Sequence, residues 1–254
     1  MSLGTRAYTL SLAPTPTPRR LLRKRMLEAK RMLLDELEGL DEEANVEIVV
    51  EWRRTSRILH HMSLAHHLTT MAYQNAWANH RLLKVCAQLS QPDFVAPRTS
   101  FFPSLKATLN HIVTVDWYYV DALERWRRGE PVNREPTQFF TPEEPFETCT
   151  ELSSAQHAVD RRLVDVGESL VDAELNAPVP VMRRAGVEPE TVTRLLAHLF
   201  EHQIHHRGQV HAMLAGTTIE PPQLDEFFCA NEAHLRAAEL AELGYSEESI
   251  WSRG

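Results

Sequence analysis

Residues 191–214 read TVTRLLAHLFEHQIHHRGQVHAML, and the phase of this stretch decides the architecture. Val192, Leu195 and Leu199 recur at spacings of three and four, the apolar stripe of a helix packed on one side. The same stripe, carried onward, lands on His202, His206, Gln209 and Met213. A helix over about 191–214 therefore turns His202 and His206 inward and leaves His198 and His205 on its flank. Imidazoles one turn apart stand about 5–6 Å from one another, close enough to share one ion. Two adjacent buried imidazoles need a partner, because an unpaired polar group in a core is costly. A metal ion is one such partner; carboxylates or waters bonded to core histidines are the other. This helix alone leaves both standing.

Outward from that stretch, three more long helices are legible. Leu64, Leu68, Met71, Asn75, Ala78, Leu82, Val85 and Leu89 repeat at helical spacing, and Pro92 and Pro97 are expected to end that helix. Ser100 stands as an N-cap for a second helix carrying Leu105, Leu109, Ile112, Tyr119, Leu123 and Trp126, closed by Gly129 and Pro131. A third carries Leu152, Ala155, Val159, Leu163, Val166 and Leu170. The segment with Pro178, Pro180 and Gly186 is a long crossover with a short strand pair near Val179 and Val181. Four long helices with one long connection predict an all-α four-helix bundle. Beyond it, Asn231 is a cap for a helix through Leu243, Gly244 is its C′ glycine, and Ser246 starts one more turn. Ahead of it, Pro14, Pro16 and Pro18 alternate with threonine before a charged helical segment, basic then acidic. The expected organisation is an extension over 1–61, a bundle over 62–228 and a helical tail over 229–254.

Composition narrows the function classes. The chain has 254 residues, 43% of them hydrophobic, and no run approaches the roughly 18 apolar residues of a membrane span. A net charge of -8 argues against a nucleic-acid binder, which would show a basic face. Cys86, Cys149 and Cys229 are odd in number, far apart and free of CxxC spacing, which favours a reducing compartment over a disulfide framework. No apolar segment follows the early arginines as a secretory signal requires, so a cytoplasmic location is expected. Histidine is the unusual residue, at 13 copies.

His111, flanked by Asn110 and Ile112 at the edge of the second helix's stripe, is the candidate for a third ligand. His60, His61, His66 and His67 bracket the start of the first helix, where a solvated cluster is expected; His66 and His67 retain a minor chance of an adventitious site. His80, His157, His211 and His234 read as isolated residues on solvated faces.

Asn75-Ala76-Trp77-Ala78-Asn79, then Leu109-Asn110-His111-Ile112, then residues 198–214 with their HxxxHRGQ core, resemble the DinB/YfiT-like superfamily of damage-inducible four-helix-bundle proteins. The resemblance spans roughly residues 63–228 and extends to the closing Pro221–Phe228 segment. It implies a bundle whose three-histidine metal site falls on His111, His202 and His206. Three imidazoles leave tetrahedral zinc one open position, the arrangement of catalytic sites. Zinc or nickel comes first, and iron or manganese also accepts this donor set. The resemblance further implies metal-assisted chemistry with a low-molecular-weight thiol on a small-molecule substrate, as a transferase or isomerase. The competing class is a non-enzymatic stress-response protein whose ion is structural or sequestered. A homodimer is expected, since bundles of this kind pair through helix faces.

Four more residues near the ligands carry expectations. Asp116 and Glu201 are candidate partners holding an imidazole tautomer. Arg207 is a candidate for an anionic substrate or, more simply, a helix-surface salt bridge. Gly208 inside a helix suggests a close helix approach.

Overall fold

A computed structural model describes residues 63–251. The reading of residues 1–61 as an extension lies outside them. Four long helices are present: α1 (Leu64–Cys86), α3 (Leu105–Arg128), α4 (Cys149–Glu168) and α5 (Val192–Leu214), with a short α2 (Gln91–Val95) after the first. The four long helices touch in a closed ring, α1 on α4, α4 on α3, α3 on α5 and α5 on α1. That is the all-α four-helix bundle the periodicity predicts. No helix among the described residues is long and apolar enough to cross a membrane.

Local chemistry fixes the helix ends. Ser63, Thr148 and Thr191 each accept a backbone N–H of the first turn, and Thr148 forms a reciprocal capping box with Glu151. Gly129 at φ 66° and Gly244 at φ 79° end α3 and α6 (Ala233–Leu243) in the left-handed conformation that only glycine adopts freely. Three boundary expectations need correction. The cap of α3 is Ser104, which accepts the Ala107 N–H at 3.0 Å; Ser100 lies in the preceding loop. Pro92 does not end α1. It sits in the first turn of α2, where a missing N–H costs nothing, behind the Ser90 cap. Asn231 falls in a short 3₁₀ turn, and α6 begins two residues later without a side-chain cap.

The connection between α4 and α5 is an antiparallel hairpin of β1 (Pro178–Arg183) and β2 (Gly186–Thr191). Pro180 pairs with Pro189, which a two-stranded ribbon with open edges accommodates. Val179 and Val181 are buried, and β1 lies along α3. The hairpin therefore hangs on the bundle at one end of the α3–α5 seam.

The C-terminal segment docks on α1. Trp77, fully buried, meets Phe227 at 5.6 Å between ring centroids, and the Arg81 guanidinium lies 4.3 Å above the Trp77 ring. Arg81 also pairs with Glu226 and Glu239, both at 2.7 Å. Arg236, only 1% exposed, donates to Glu247 and to the carbonyls of Glu226 and Cys229, and so ties α6 to α7 (Glu247–Trp251) and to the preceding turn. Two long helices approach closely at Gly167, where an added Cβ would stand 3.2 Å from the Thr69 Cα. At Gly208 nothing lies within 4 Å, so the expected tight packing there is absent.

Two apolar clusters fill the bundle, one built from Leu82, Leu105, Leu109, Leu152 and Val210, the other from Trp77, Val120, Leu163 and Leu199. Between them runs a buried polar layer of Asn75, Asn79, Asp116, Gln156, Asp160, Gln203 and Arg207. Each long helix contributes to it. This layer sits at the level of the histidine cluster.

Candidate metal centre

His111 comes from α3, and His202 and His206 come from successive turns of α5. The structure brings these three together: one ring nitrogen from each lies within 4.8 Å of the others. His202 Nε2 faces His111 Nε2 at 3.0 Å. Ligand nitrogens around a tetrahedral zinc stand about 3.3 Å apart when each bond is 2.0–2.1 Å, so this spacing is close to what an ion requires. The three rings pack at centroid separations of 5.0, 4.7 and 4.4 Å. His206 is buried, and His111 and His202 are half-buried. His198 and His205 stay exposed on the flank, as the phase of α5 predicts.

Protonation favours ligation. Burial, reinforced by the neighbouring His206, lowers the His111 pKa to about 4. Burial and four neighbouring imidazoles, His206 first, lower His202 to about 3. His206 also falls below the ordinary imidazole value through burial, although its bond to Gln209 works the other way. All three are neutral at physiological pH with lone pairs available. His206 Nδ1 pairs with Gln209 Oε1 at 2.8 Å, which commits that nitrogen as the donor and leaves Nε2 free for the cluster. Gln209 in turn reaches His205 Nε2 at 3.1 Å. His202 Nδ1 is buried without a hydrogen-bond partner. Imidazole donors suit zinc, nickel, copper and iron, so the residues fit a divalent transition ion.

One side of the cluster is covered by an aromatic ring that nothing in the sequence pattern announced. Phe102, in the loop before α3, packs 4.3 Å from the His111 ring and 5.5 Å from the His206 ring. Phe101 stacks edge-on against it and is 80% exposed.

The residues expected beside the ligands do something else. Asp116 does not touch an imidazole. Its Oδ2 accepts from Gln156 at 2.7 Å and from Gln203, and its Oδ1 is buried and unpartnered. Burial raises Asp116 to about 7 against the pull of those amides and of Arg207. Asp160 is likewise raised, by burial and by Asp116, while accepting from Asn75, Asn79 and Gln156. Arg207 is neither on the surface nor open to substrate: 3% exposed, it donates to Asn75, to Asn79 at 3.0 Å and to Gln203 at 3.3 Å. Burial lowers even this guanidinium to about 10, against the attraction of Asp160 and Asp116. Glu201 is exposed. The polar layer thus holds the helices that carry the histidine cluster, through amides that bridge one cation to two carboxyls.

His80 and His157 are not isolated either. His80 Nδ1 lies 2.9 Å from His157 Nε2, and His80 Nε2 lies 2.7 Å from Glu242, beside a cavity of about 200 Å³ between α1, α4 and α6. His211 reaches the Pro222 carbonyl at 3.1 Å, and His234 is exposed.

Comparison with known proteins agrees with this geometry. The model of the DinB family matches residues 62–239. Among curated proteins, Protein DinB of Bacillus subtilis (strain 168) is 24% identical over 146 residues, covering 55% of this chain and 80% of that protein.

Proposed function

The chain belongs to the DinB family, and from that premise we propose that His111, His202 and His206 hold one divalent transition ion that activates a low-molecular-weight thiol toward a small electrophilic substrate. The observation that carries the reading is the cluster itself. Among the described residues it numbers three histidines and gains no fourth histidine, cysteine or carboxylate, so an ion held there keeps a position for an exogenous ligand. Such an ion supplies Lewis acidity, lowering the pKa of a coordinated water or thiol so that the nucleophile exists at neutral pH.

The protein's own groups would act on position and protonation. His111 and His202, kept neutral by burial, offer lone pairs without first losing a proton. Gln209 fixes the tautomer of His206. Phe102 keeps water from one side of the rings and directs an incoming thiol to the other. Zinc or nickel is the ion proposed, although imidazole donors alone do not choose among transition ions.

A second reading, a structural or sequestered ion, has one observation in its favour: the cluster joins α3 to α5 across 91 residues of sequence, so an ion would also clamp two helices. Metal analysis of the untagged full-length chain tests both. One ion per chain is expected, lost on replacing His111, His202 or His206 by alanine and kept on replacing His198 or His205. Metal-loaded protein should then transfer a thiol to an electrophile at a rate that the apo-protein lacks. Retention of the ion in His206→Ala would sink both readings. Full metal with no thiol binding would leave only the clamp.

A further inference from the structure

Arg183, the last residue of β1, leans over the α3–α5 seam from the hairpin. Its guanidinium donates to the Tyr119 hydroxyl at 2.9 Å and lies 5.4 and 5.9 Å from the Tyr119 and Tyr118 ring centroids. The hairpin end is held in place by Tyr118, whose hydroxyl donates to the Met182 carbonyl at 2.5 Å. No carboxylate of the described residues forms an ion pair with Arg183, although Glu190 acts on it electrostatically. Glu190 itself lies 3.6 Å from Arg194. A half-buried cation fixed on two aromatic faces, with nitrogens left over, is an arrangement for receiving an anion.

Its location ties it to the histidine cluster. The Tyr119 ring meets the exposed His198 at 5.2 Å, and His198 meets His202 at 6.3 Å. Arg183, Tyr119, His198 and His202 therefore form a continuous shelf from the hairpin to the cluster. The steps of 5.4, 5.2 and 6.3 Å along this shelf put the guanidinium at most about 17 Å from the His202 ring, and with a contact of roughly 3–4 Å at each end about 10 Å is left between a sulfur at the cluster and a carboxylate at Arg183. We propose that Arg183 anchors the carboxylate of the thiol whose sulfur meets the metal centre. The co-substrate class is thus a carboxylate-bearing thiol with about 10 Å between sulfur and carboxylate, the reach of an extended tripeptide. His198 lies under the arm that joins them. This inference rests on the thiol reading above and goes beyond it by naming the anion and the residue that selects it.

The test uses the full chain loaded with cobalt(II), whose near-ultraviolet spectrum gains a charge-transfer band when a thiolate binds. Two matched pairs are titrated: 8-mercaptooctanoate against 8-mercaptooctan-1-ol, and 3-mercaptopropionate against 3-mercaptopropan-1-ol. The long acid should bind about ten-fold tighter than its alcohol, the contribution of one charge-assisted contact, and the short pair should bind alike. Arg183→Met, which keeps the aliphatic stem on the tyrosines, should take up cobalt normally, bind the long alcohol as before and lose the preference for the acid. Equal binding of the long acid and alcohol by the unaltered protein overturns the assignment, as does a preference that survives Arg183→Met. Absence of any thiolate band with all four compounds overturns the thiol reading itself, a result distinct from either.

Discussion

Arg207→Met is the sharpest probe of how the helices carrying the histidine cluster are held. The guanidinium is 3% exposed and serves the side-chain oxygens of Asn75, Asn79 and Gln203. Methionine fills much of the volume but donates nothing, so three amide oxygens lose their donor and two carboxyls lose the cation that faces them. Breaking a buried charged network by removing one partner costs about 3–5 kcal/mol. For a domain of this size that is a fall in Tm of roughly 6–20 °C. The pH dependence separates this mechanism from simple loss of packing. Burial pushes Asp116 up to about 7 in the folded protein, well above the ordinary carboxylate range near 4. A carboxyl raised in this way gives stability that is fully present below pH 4 and lost as pH rises through 7, on the order of 4 kcal/mol in all. Arg207 lowers both Asp116 and Asp160. Without it both folded carboxyls titrate higher, and the variant loses more stability than the unaltered protein as pH rises. Urea unfolding at pH 6, 7.5 and 9 should show the gap between the two proteins widening with pH. A variant within about 1 kcal/mol of the original, or a gap independent of pH, would refute the account.

Three further outcomes are expected. Metal affinity should resist acid: with His111 near 4 and His202 near 3, proton competition at these two histidines weakens binding between pH 7 and 5 by less than about two-fold, whereas two ordinary imidazoles would lose several hundred-fold; chelator competition at pH 7 and 5 decides. Gly208→Ala should raise stability by about 0.5–1 kcal/mol, since the site is helical, exposed and free of neighbours within 4 Å, and a loss of stability on thermal melting would contradict that. Arg81→Ala should free the C-terminal helices from α1, because it removes the pairs to Glu226 and Glu239 and the contact with Trp77. Faster proteolysis confined to residues after 220 is the expected result, and unchanged cleavage would show that Phe227 alone suffices.

The amino-acid sequence by itself determined the four long helices, the glycine ends of α3 and α6 and the orientation of α5. Apolar spacing reports which face of a helix is buried, and it put His202 and His206 inside and His198 and His205 outside before any partner helix was considered. The resemblance to the DinB-like proteins then singled out His111. Periodicity was less informative for α1, which is buried nearly all round. Leu64, on its expected stripe, is 48% exposed, while Tyr73 and Trp77, off that stripe, are buried. The pairing of polar side chains across faces was decided by tertiary structure alone. Arg207 reads as a surface residue until Asn75 and Asn79 of α1 are brought against it, and Asp116 reads as a partner for an imidazole until Gln156 and Gln203 claim it. His80 and His157 are 77 residues apart and meet only because α1 packs along α4. Arg183 gains its aromatic seat only when the hairpin folds back on α3. Helical phase is a local property, carried by residues three and four apart. The partner of a buried charge comes from another element, and only the packing of the elements selects it.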